Sequence, residues 1–310
     1  MGHSDQMLKA IPDCGVIGVD IGGTSVKGGL LLPDGTRRLA QPLPTVLDQG
    51  AHAFIDGLAE WIQELGADCP LGIGVPGIFE PGTRRLTESP NLKALAGFDF
   101  AVELGKRLGR DAATIPVEND ANLAALGEQW LGAGRGKRDL VMVTLGTGVG
   151  GGIVLDGRII RGPLGRGGEI GHLNIHEGVL APEACGCGKF GCLESFASGT
   201  AAQRRARAAG LNPDLSQLAA AARLQAGPER DLLHQIGEDL GRGLAQILVL
   251  LDVDTFVVGG GFGAALDMLH AGILAGIRER DFAERVPHVV NAELGSDAGW
   301  LGAARLALGD

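Results

Sequence analysis

The chain has 310 residues, 45% of them apolar and 21% charged, with a formal net charge of -10. That length provides for one large or two medium domains with material for a core. The acidic balance argues against nucleic-acid binding, which needs Lys and Arg to neutralise phosphates, and no apolar run reaches the roughly 20 residues of a membrane span.

Residues 1–13 show no periodicity and are expected to form a flexible tail. No secretory segment precedes the first strand, so the expected location is the cytoplasm and the expected partners are small molecules. Val16–Asp20 reads as a buried strand, Ile21–Lys27 as a Gly/Thr turn, and Gly28–Leu32 as a second strand ending at Pro33-Asp34-Gly35. Phe54, Leu58, Trp61, Ile62 and Leu65 share one face of a helix that ends near Gly66, and strand Leu71–Val75 follows. Thr114–Val117 predicts a short strand running into Glu118-Asn119-Asp120 and a helix over Ala121–Leu131. Leu140–Thr144, the turn Leu145–Gly152 and Ile153–Gly157 repeat the opening plan of strand, Gly/Thr turn, strand and Asp-Gly turn, which reads as a duplication. Beyond lie a long helix to Leu251, strand Thr255–Val258 capped by Gly259-Gly260-Gly261, a helix to Arg280, strand Pro287–Val290 and a terminal helix near Gly299–Leu308. Strands alternating with helices predict an α/β protein, and the repeated hairpin predicts two such domains facing each other. The expected boundaries are 14–118 and 119–298, with helix 299–310 packing on the first domain.

Glycine supplies 53 residues, far above a usual share of about 7%. Many flank the two hairpin turns, which suggests backbone cradles for ligands. In the first turn Gly22 and Gly23 let N–H groups approach phosphate oxygens, Thr24 adds a hydroxyl and Lys27 a positive charge, and Asp20 is suited to hold magnesium through water. The dull alternative is a plain hairpin; the second turn, Gly146-Thr147-Gly148, strengthens the ligand reading, because two phosphate cradles suit a nucleotide. Neither turn is a Walker loop or a dinucleotide fingerprint. Asp120 reads either as a helix N-cap, favoured by this stretch alone, or as a carboxylate that accepts a proton from an attacking hydroxyl beside Asn119.

Cys185, Cys187 and Cys192 follow a C-x-C-x4-C spacing with His172 upstream, and three thiols with one imidazole predict a tetrahedral zinc site. Gly186, Gly188 and Gly191 allow the backbone to bend there. A disulfide or free thiols are the alternatives, with only Cys14 and Cys69 outside the cluster; His176 is the rival fourth ligand. Four protein ligands leave no open position, so the metal's expected role is structural. Glu169 and Glu194 bracket this element, and a loop held by metal would project both toward a polyol.

With both glycine turns, Glu118-Asn119-Asp120, Glu169-Ile-Gly-His172 and Cys185-x-Cys-x4-Cys192-x-Glu194 in this order, the chain resembles the ROK family of bacterial sugar kinases and repressors from about Gly15 to Leu308. The resemblance implies the actin-like ATPase (ribonuclease H-like) fold, with ATP and sugar bound in the cleft between two domains, Mg2+ with the nucleotide, and structural zinc on His172, Cys185, Cys187 and Cys192. It also implies Asp120 as catalytic base, with Asn91, Asn119, Asp120, Glu169, His172 and Glu194 on the sugar. Asp20, Gly22, Gly23, Thr24 and Lys27 match the first phosphate motif, Gly146, Thr147 and Gly148 the second, and Gly259, Gly260 and Gly261 the turn near adenosine. His172 is a candidate for both zinc and sugar, since its two ring nitrogens are distinct.

The expected activity is phosphorylation of the 6-hydroxyl of glucose, as part of carbohydrate metabolism. N-acetylglucosamine, N-acetylmannosamine and fructose kinases of the same family are the alternatives, and a homodimer is the implied assembly. A repressor of the family would need a helix-turn-helix domain before the body, for which residues 1–14 are too few. A sugar-sensing regulator without catalysis would be expected to lack the base or a phosphate turn. An acetate kinase or a chaperone of the same superfamily would leave the cysteine cluster unexplained.

Overall fold

The computed structural model describes residues 8, 10–66, 68–80, 83–89, 92–176 and 184–309. The chain starts with strands β1 (Val16–Ile21), β2 (Ser25–Leu31), β3 (Arg37–Leu39) and β4 (Leu43–Pro44), then helix α1 (Ala51–Gly66) and strand β5 (Leu71–Val75). A small hairpin, β6 (Ile78–Phe79) and β7 (Leu86–Glu88), precedes α2 (Phe100–Leu108), β8 (Val117–Asn119) and α3 (Asp120–Leu131). The second hairpin is β9 (Leu140–Leu145) and β10 (Val149–Leu155), with β11 (Arg158–Ile159) after it. Helices α4 (Glu194–Ala197), α5 (Gly199–Ala208), α6 (Leu215–Leu224) and α7 (Pro228–Leu251) lead to β12 (Thr255–Gly259), α8 (Leu266–Arg280), β13 (His288–Asn291) and α9 (Ala298–Ala307).

Two units result: 1–138 with 152–167 and 293–310, and 139–151 with 168–292. The expected boundary after 118 and the observed one after 138 differ because α3 packs on α9, which keeps it with the first unit. Of the expected tail, Ile11 is buried beside Trp130 and Trp300, while residues 1–7 and 9 lie outside the described residues.

The first unit carries a sheet ordered β3-β2-β1-β5-β8. β1 pairs antiparallel with β2 and parallel with β5, and β5 pairs parallel with β8. The alternation of β1 explains its two-sided burial: Ile17, Val19 and Ile21 join Phe54, Leu58, Ile62 and Phe100 in one core cluster. Val16 joins Trp300 and Leu301 in another. Between them Gly18 makes room for α9, since a Cβ there would lie 1.8 Å from the Trp300 carbonyl oxygen. Gly72 and Gly302 meet backbone equally closely, at Ala303 and Leu123. Part of the glycine excess therefore serves helix docking, not ligand cradles.

The other large sheet is ordered β11-β10-β9-β12-β13, with β12 parallel to both β9 and β13; β9, β12, β13 and the start of β10 belong to the second unit. Strand order β2-β1-β5-β8 in one sheet and β10-β9-β12-β13 in the other is the same plan, as the repeated hairpins predict. Helices α7 and α8 approach closely along Gly237 and Gly241 of one and Gly272 and Gly276 of the other, where an added Cβ would meet the facing backbone at 2.0–2.2 Å.

One strand differs from expectation. Thr114 ends a 3-10 turn over Ala112–Thr114, because the Asp111 carboxylate accepts from the Ala113 N–H at 2.9 Å. The strand begins only at Val117 and carries Asn119 at its end.

Candidate active site and metal-binding loop

Parallel register collects the first group of residues at one sheet edge. Gly74 of β5 is the cross-strand partner of both Asp20 on β1 and Glu118 on β8, and Val75 pairs with Asn119. Asp20 and Asp120 therefore stand at the carboxyl ends of nearby parallel strands, where open α/β sheets place their ligands.

Asn119, not Asp120, is the N-cap of α3: its side-chain oxygen accepts from the N–H groups of Ala121 and Asn122 at 2.8 and 3.3 Å. Its amide nitrogen donates to the Gly77 carbonyl at 2.9 Å, leaving one N–H. Asp120 is thus spared the cap; its carboxylate accepts from the Ala121 N–H at 3.0 Å and is also hydrogen-bonded by the Asn119 side chain. Its side chain is open to solvent, yet loss of hydration among the surrounding protein atoms raises its pKa above the ordinary aspartate value. Asp20 is pushed up to about 7, first by burial and then by the Asp120 charge, against the pull of Lys27. A buried carboxylate whose proton affinity is raised further by a second carboxylate nearby suits a divalent cation, since Mg2+ is commonly held by one or two carboxylates plus substrate phosphates.

The first glycine turn closes with the Gly22 N–H on the Ser25 carbonyl at 3.0 Å. Thr45 braces it, its hydroxyl donating to the Gly22 carbonyl at 2.8 Å. Gly23, Thr24 and Lys27 remain exposed. Asn91 lies outside the described residues.

In the second unit Gly146, Thr147 and Gly148 follow β9, and Gly260 and Gly261 follow β12. Gly259 of β12 pairs with Thr144 of β9, so the two turns sit at adjacent strand ends. The start of α5 docks on the first of them through the Gly199 N–H and Gly146 carbonyl, 2.8 Å apart. Gly260 adopts a φ of +85°, and a Cβ there would strike the Leu145 carbonyl at 2.3 Å. Only glycine fits both demands.

The thiol loop is pinned by short ladders. Leu193 N–H reaches the Leu173 carbonyl at 2.8 Å and Ile175 N–H the Gly191 carbonyl at 2.9 Å, which sets His172 beside Cys192. Gly188 and Gly191 take positive φ values of 80° and 81°; Gly186 does not use this freedom. The Nδ1 of His172 and the sulfurs of Cys185, Cys187 and Cys192 all lie within 4.8 Å of one another. Cys187 and Cys192 sulfurs are 3.7 Å apart, and Cys185 sulfur is 3.6 Å from His172 Nδ1. Tetrahedral zinc with bonds of about 2.3 Å to sulfur and about 2.1 Å to nitrogen spans such distances, so the donor set fits. His176 is engaged elsewhere, its Nε2 lying 3.0 Å from Asp239.

With Nδ1 toward the thiols, His172 directs Nε2 outward, 4.0 Å from the Glu169 carboxylate. Glu194 accepts from the Val149 N–H at 3.0 Å, just past the Gly146 turn, and its other oxygen lies 3.6 Å from the Cys185 sulfur. The structure thus brings Glu169, His172 and Glu194 to the thiol loop.

Three of the buried carboxylates, Glu118, Glu128 and Asp239, make contacts that the sequence does not reveal. Glu118 pairs with Arg161 and accepts from Asn122 at 3.0 Å. Glu128, wholly inaccessible, accepts from the N–H groups of Ala133, Glu293 and Leu294. Asp239 sits three residues after Ile236 and four before Gly243 on the buried face of α7, and an acid on that stripe is the signal that could have found it.

The fold and these strand-end turns define a protein of the actin-like ATPase class. Residues 16–310 match the ROK family, and the chain belongs to it. A glucokinase from Thermotoga maritima is 34% identical over 325 aligned positions, covering 96% of this chain and 98% of the relative. An N-acetylmannosamine kinase from Escherichia fergusonii is 35% identical over 301 positions, covering 95% and 98%. A solved ROK family glucokinase from Streptomyces griseus, in complex with glucose and AMPPNP, is 31% identical with a TM-score of 0.72, covering 94% of this chain and 98% of that one. Among the described residues no helix is long and apolar enough to cross a membrane.

Proposed function

We propose that this ROK sugar kinase transfers the γ-phosphoryl group of ATP to the 6-hydroxyl of glucose, with Asp120 as general base. The observation that carries the reading is Asp120 itself: a solvent-reachable carboxylate of raised pKa, relieved of helix capping by Asn119, at a strand end beside Asp20. A base gains strength as its pKa rises toward working pH. The glucokinase relatives and the glucose complex of one of them support glucose as acceptor.

In the reaction the 6-hydroxyl oxygen attacks the γ-phosphorus as its proton passes to an Asp120 oxygen; the bond to the bridging oxygen breaks and ADP leaves. Asn119 uses its remaining N–H on a sugar oxygen, and Glu169, His172 Nε2, Glu194 and Asn91 hold the other hydroxyls. Phosphates rest against the turns Gly22-Gly23-Thr24 and Gly146-Thr147-Gly148, where the Gly22 and Gly146 N–H groups close the turns on the Ser25 and Gly148 carbonyls and the N–H groups of Gly23 and Gly148, with Thr24, Thr147 and Lys27, face the ligand, and Gly259–Gly261 border the adenosine. Mg2+ held through Asp20 neutralises charge on the phosphates when bound. Zinc on His172, Cys185, Cys187 and Cys192 is structural. The reading includes a cytoplasmic homodimer.

N-acetylmannosamine is the second acceptor to weigh, given a relative of that name at similar identity. ADP release measured across glucose, fructose, mannose and the two acetamido sugars decides: the proposal expects the highest kcat/KM for glucose, and a preference for an acetamido sugar replaces it.

A further inference from the structure

The loop that carries His172 and the cysteines is closed at its base by the Leu193–Leu173 and Ile175–Gly191 backbone bonds, and side chains outside it brace the two segments that meet there. Among the described residues Asp239, on α7, binds one segment through His176 and connects to the other through Arg205. Its side chain is only 6% exposed. Oδ1 accepts from His176 Nε2 at 3.0 Å and from Arg242 at 2.8 Å, and Oδ2 accepts from Arg205 of α5 at 2.7 Å. His176 lies four residues beyond His172, and its ring packs on Phe196 with centroids 4.4 Å apart. Arg205 in turn donates to the Phe196 carbonyl at 3.2 Å, two residues beyond Glu194. The same helix supplies Gln246, which donates to the Asn174 carbonyl at 2.8 Å.

We propose that Asp239 is a positioning residue for sugar recognition: through His176 on one flank and Arg205 on the other it fixes the placement of His172 relative to Glu194. A buried carboxylate with three donors has one low-energy arrangement, and the donors cannot relax without leaving charge or N–H groups unpaired. The backbone bonds and metal ligation tie His172 to the cysteine segment; the stretch after Glu194 is held from α5, by Arg204 on the Ser195 carbonyl and by Arg205 on the Phe196 carbonyl, and of these two only Arg205 is bonded to Asp239. The inference rests on reading His172 and Glu194 as sugar contacts.

Calorimetric titration of glucose into Asp239→Asn without nucleotide tests it, with zinc content and the KM for ATP measured on the same protein. The expected result is sugar affinity weakened about tenfold, the worth of one well-aligned hydrogen bond, with zinc retained and the ATP KM within about twofold of wild type. If Asp239→Asn does not fold, Arg205→Met, which removes the guanidinium nitrogen that donates to both Asp239 and the Phe196 carbonyl, carries the same expectation. Sugar affinity unchanged, or ATP KM rising in step with it, overturns the proposal. Glu194→Gln separates the two levels: wild-type glucose affinity in that variant overturns the functional reading and this inference with it, whereas normal affinity in Asp239→Asn beside a weakened Glu194→Gln overturns the inference alone.

Discussion

In the first unit the candidate catalytic groups stand on the ends of hydrogen-bonded strands, Asp20 on β1 and Asn119 on β8 with Asp120 opening the helix behind it. In the second, Glu169 and His172 stand on a loop with one 3-10 turn, and Glu194 opens a helix of only four residues. Strand ends are placed by the sheet, and the cost appears as electrostatics: burial and like charge drive Asp20 up to about 7, and loss of hydration raises Asp120. The loop lies off the large sheets, and its order comes from the short backbone ladder at its base and the buried Asp239 cluster, to which the Cys3His donor set would add a cross-link with zinc bound. Damage to the first region should therefore appear in kcat at nearly normal sugar affinity, and damage to the second in sugar affinity.

The largest expected effect belongs to the first region. Asp120→Asn should lower kcat by about a thousandfold, within the range of lost general-base catalysis, while the glucose dissociation constant stays within about twofold; turnover near wild type would remove Asp120 from its role.

Asp20→Asn should lower kcat by about a hundredfold, the scale of a lost electrostatic contact, yet stabilise the protein. A carboxyl whose folded pKa is about 7, against about 3.9 unfolded, binds more protons in the native state. Its burden on stability is thus absent below about pH 4, grows as pH rises, and is complete above about pH 7, where the difference corresponds to about 4 kcal/mol at most. Thermal melts should show Asp20→Asn gaining on wild type from pH 5 to pH 8. A gain that shrinks with rising pH would contradict the electrostatic account.

In the second region Cys187→Ser should abolish stoichiometric zinc and weaken glucose binding by about tenfold or more, with the ATP KM little changed. Native protein purified without zinc would remove the cross-link argument. The smallest effect is expected for Glu169→Gln, about fivefold in glucose KM, since an exposed acceptor contributes one hydrogen bond; a larger loss in kcat than in KM would move Glu169 toward the chemistry.

The regions also differ in how well they can be read from sequence. Strand β1, its glycine turn and their repetition in β9 and β10 are legible because alternating burial and Gly/Thr turns are local patterns. The cysteine spacing is local as well. Asp120 is ambiguous in sequence because a cap and a base use the same residue types, and only the backbone at Asn119 shows which residue caps. His172 is the expected fourth ligand with His176 its rival in sequence, until Asp239, 63 positions from His176, claims the rival. Gly18 and Gly72 fall inside expected strands and Gly302 inside the expected terminal helix, and nothing local reveals that the first two make room for α9 and the third for α3. Thr114–Val117 has strand-like composition, and the side chain of Asp111 converts its start into a 3-10 turn.

Identification of the product by 31P and 1H NMR, after incubation with MgATP and glucose, tests the central claim most directly. The account predicts glucose 6-phosphate in amounts equal to ADP with wild-type protein, and none above background with Asp120→Asn. Free phosphate without a sugar ester, an ester at another hydroxyl, or undiminished glucose 6-phosphate from the variant would contradict it.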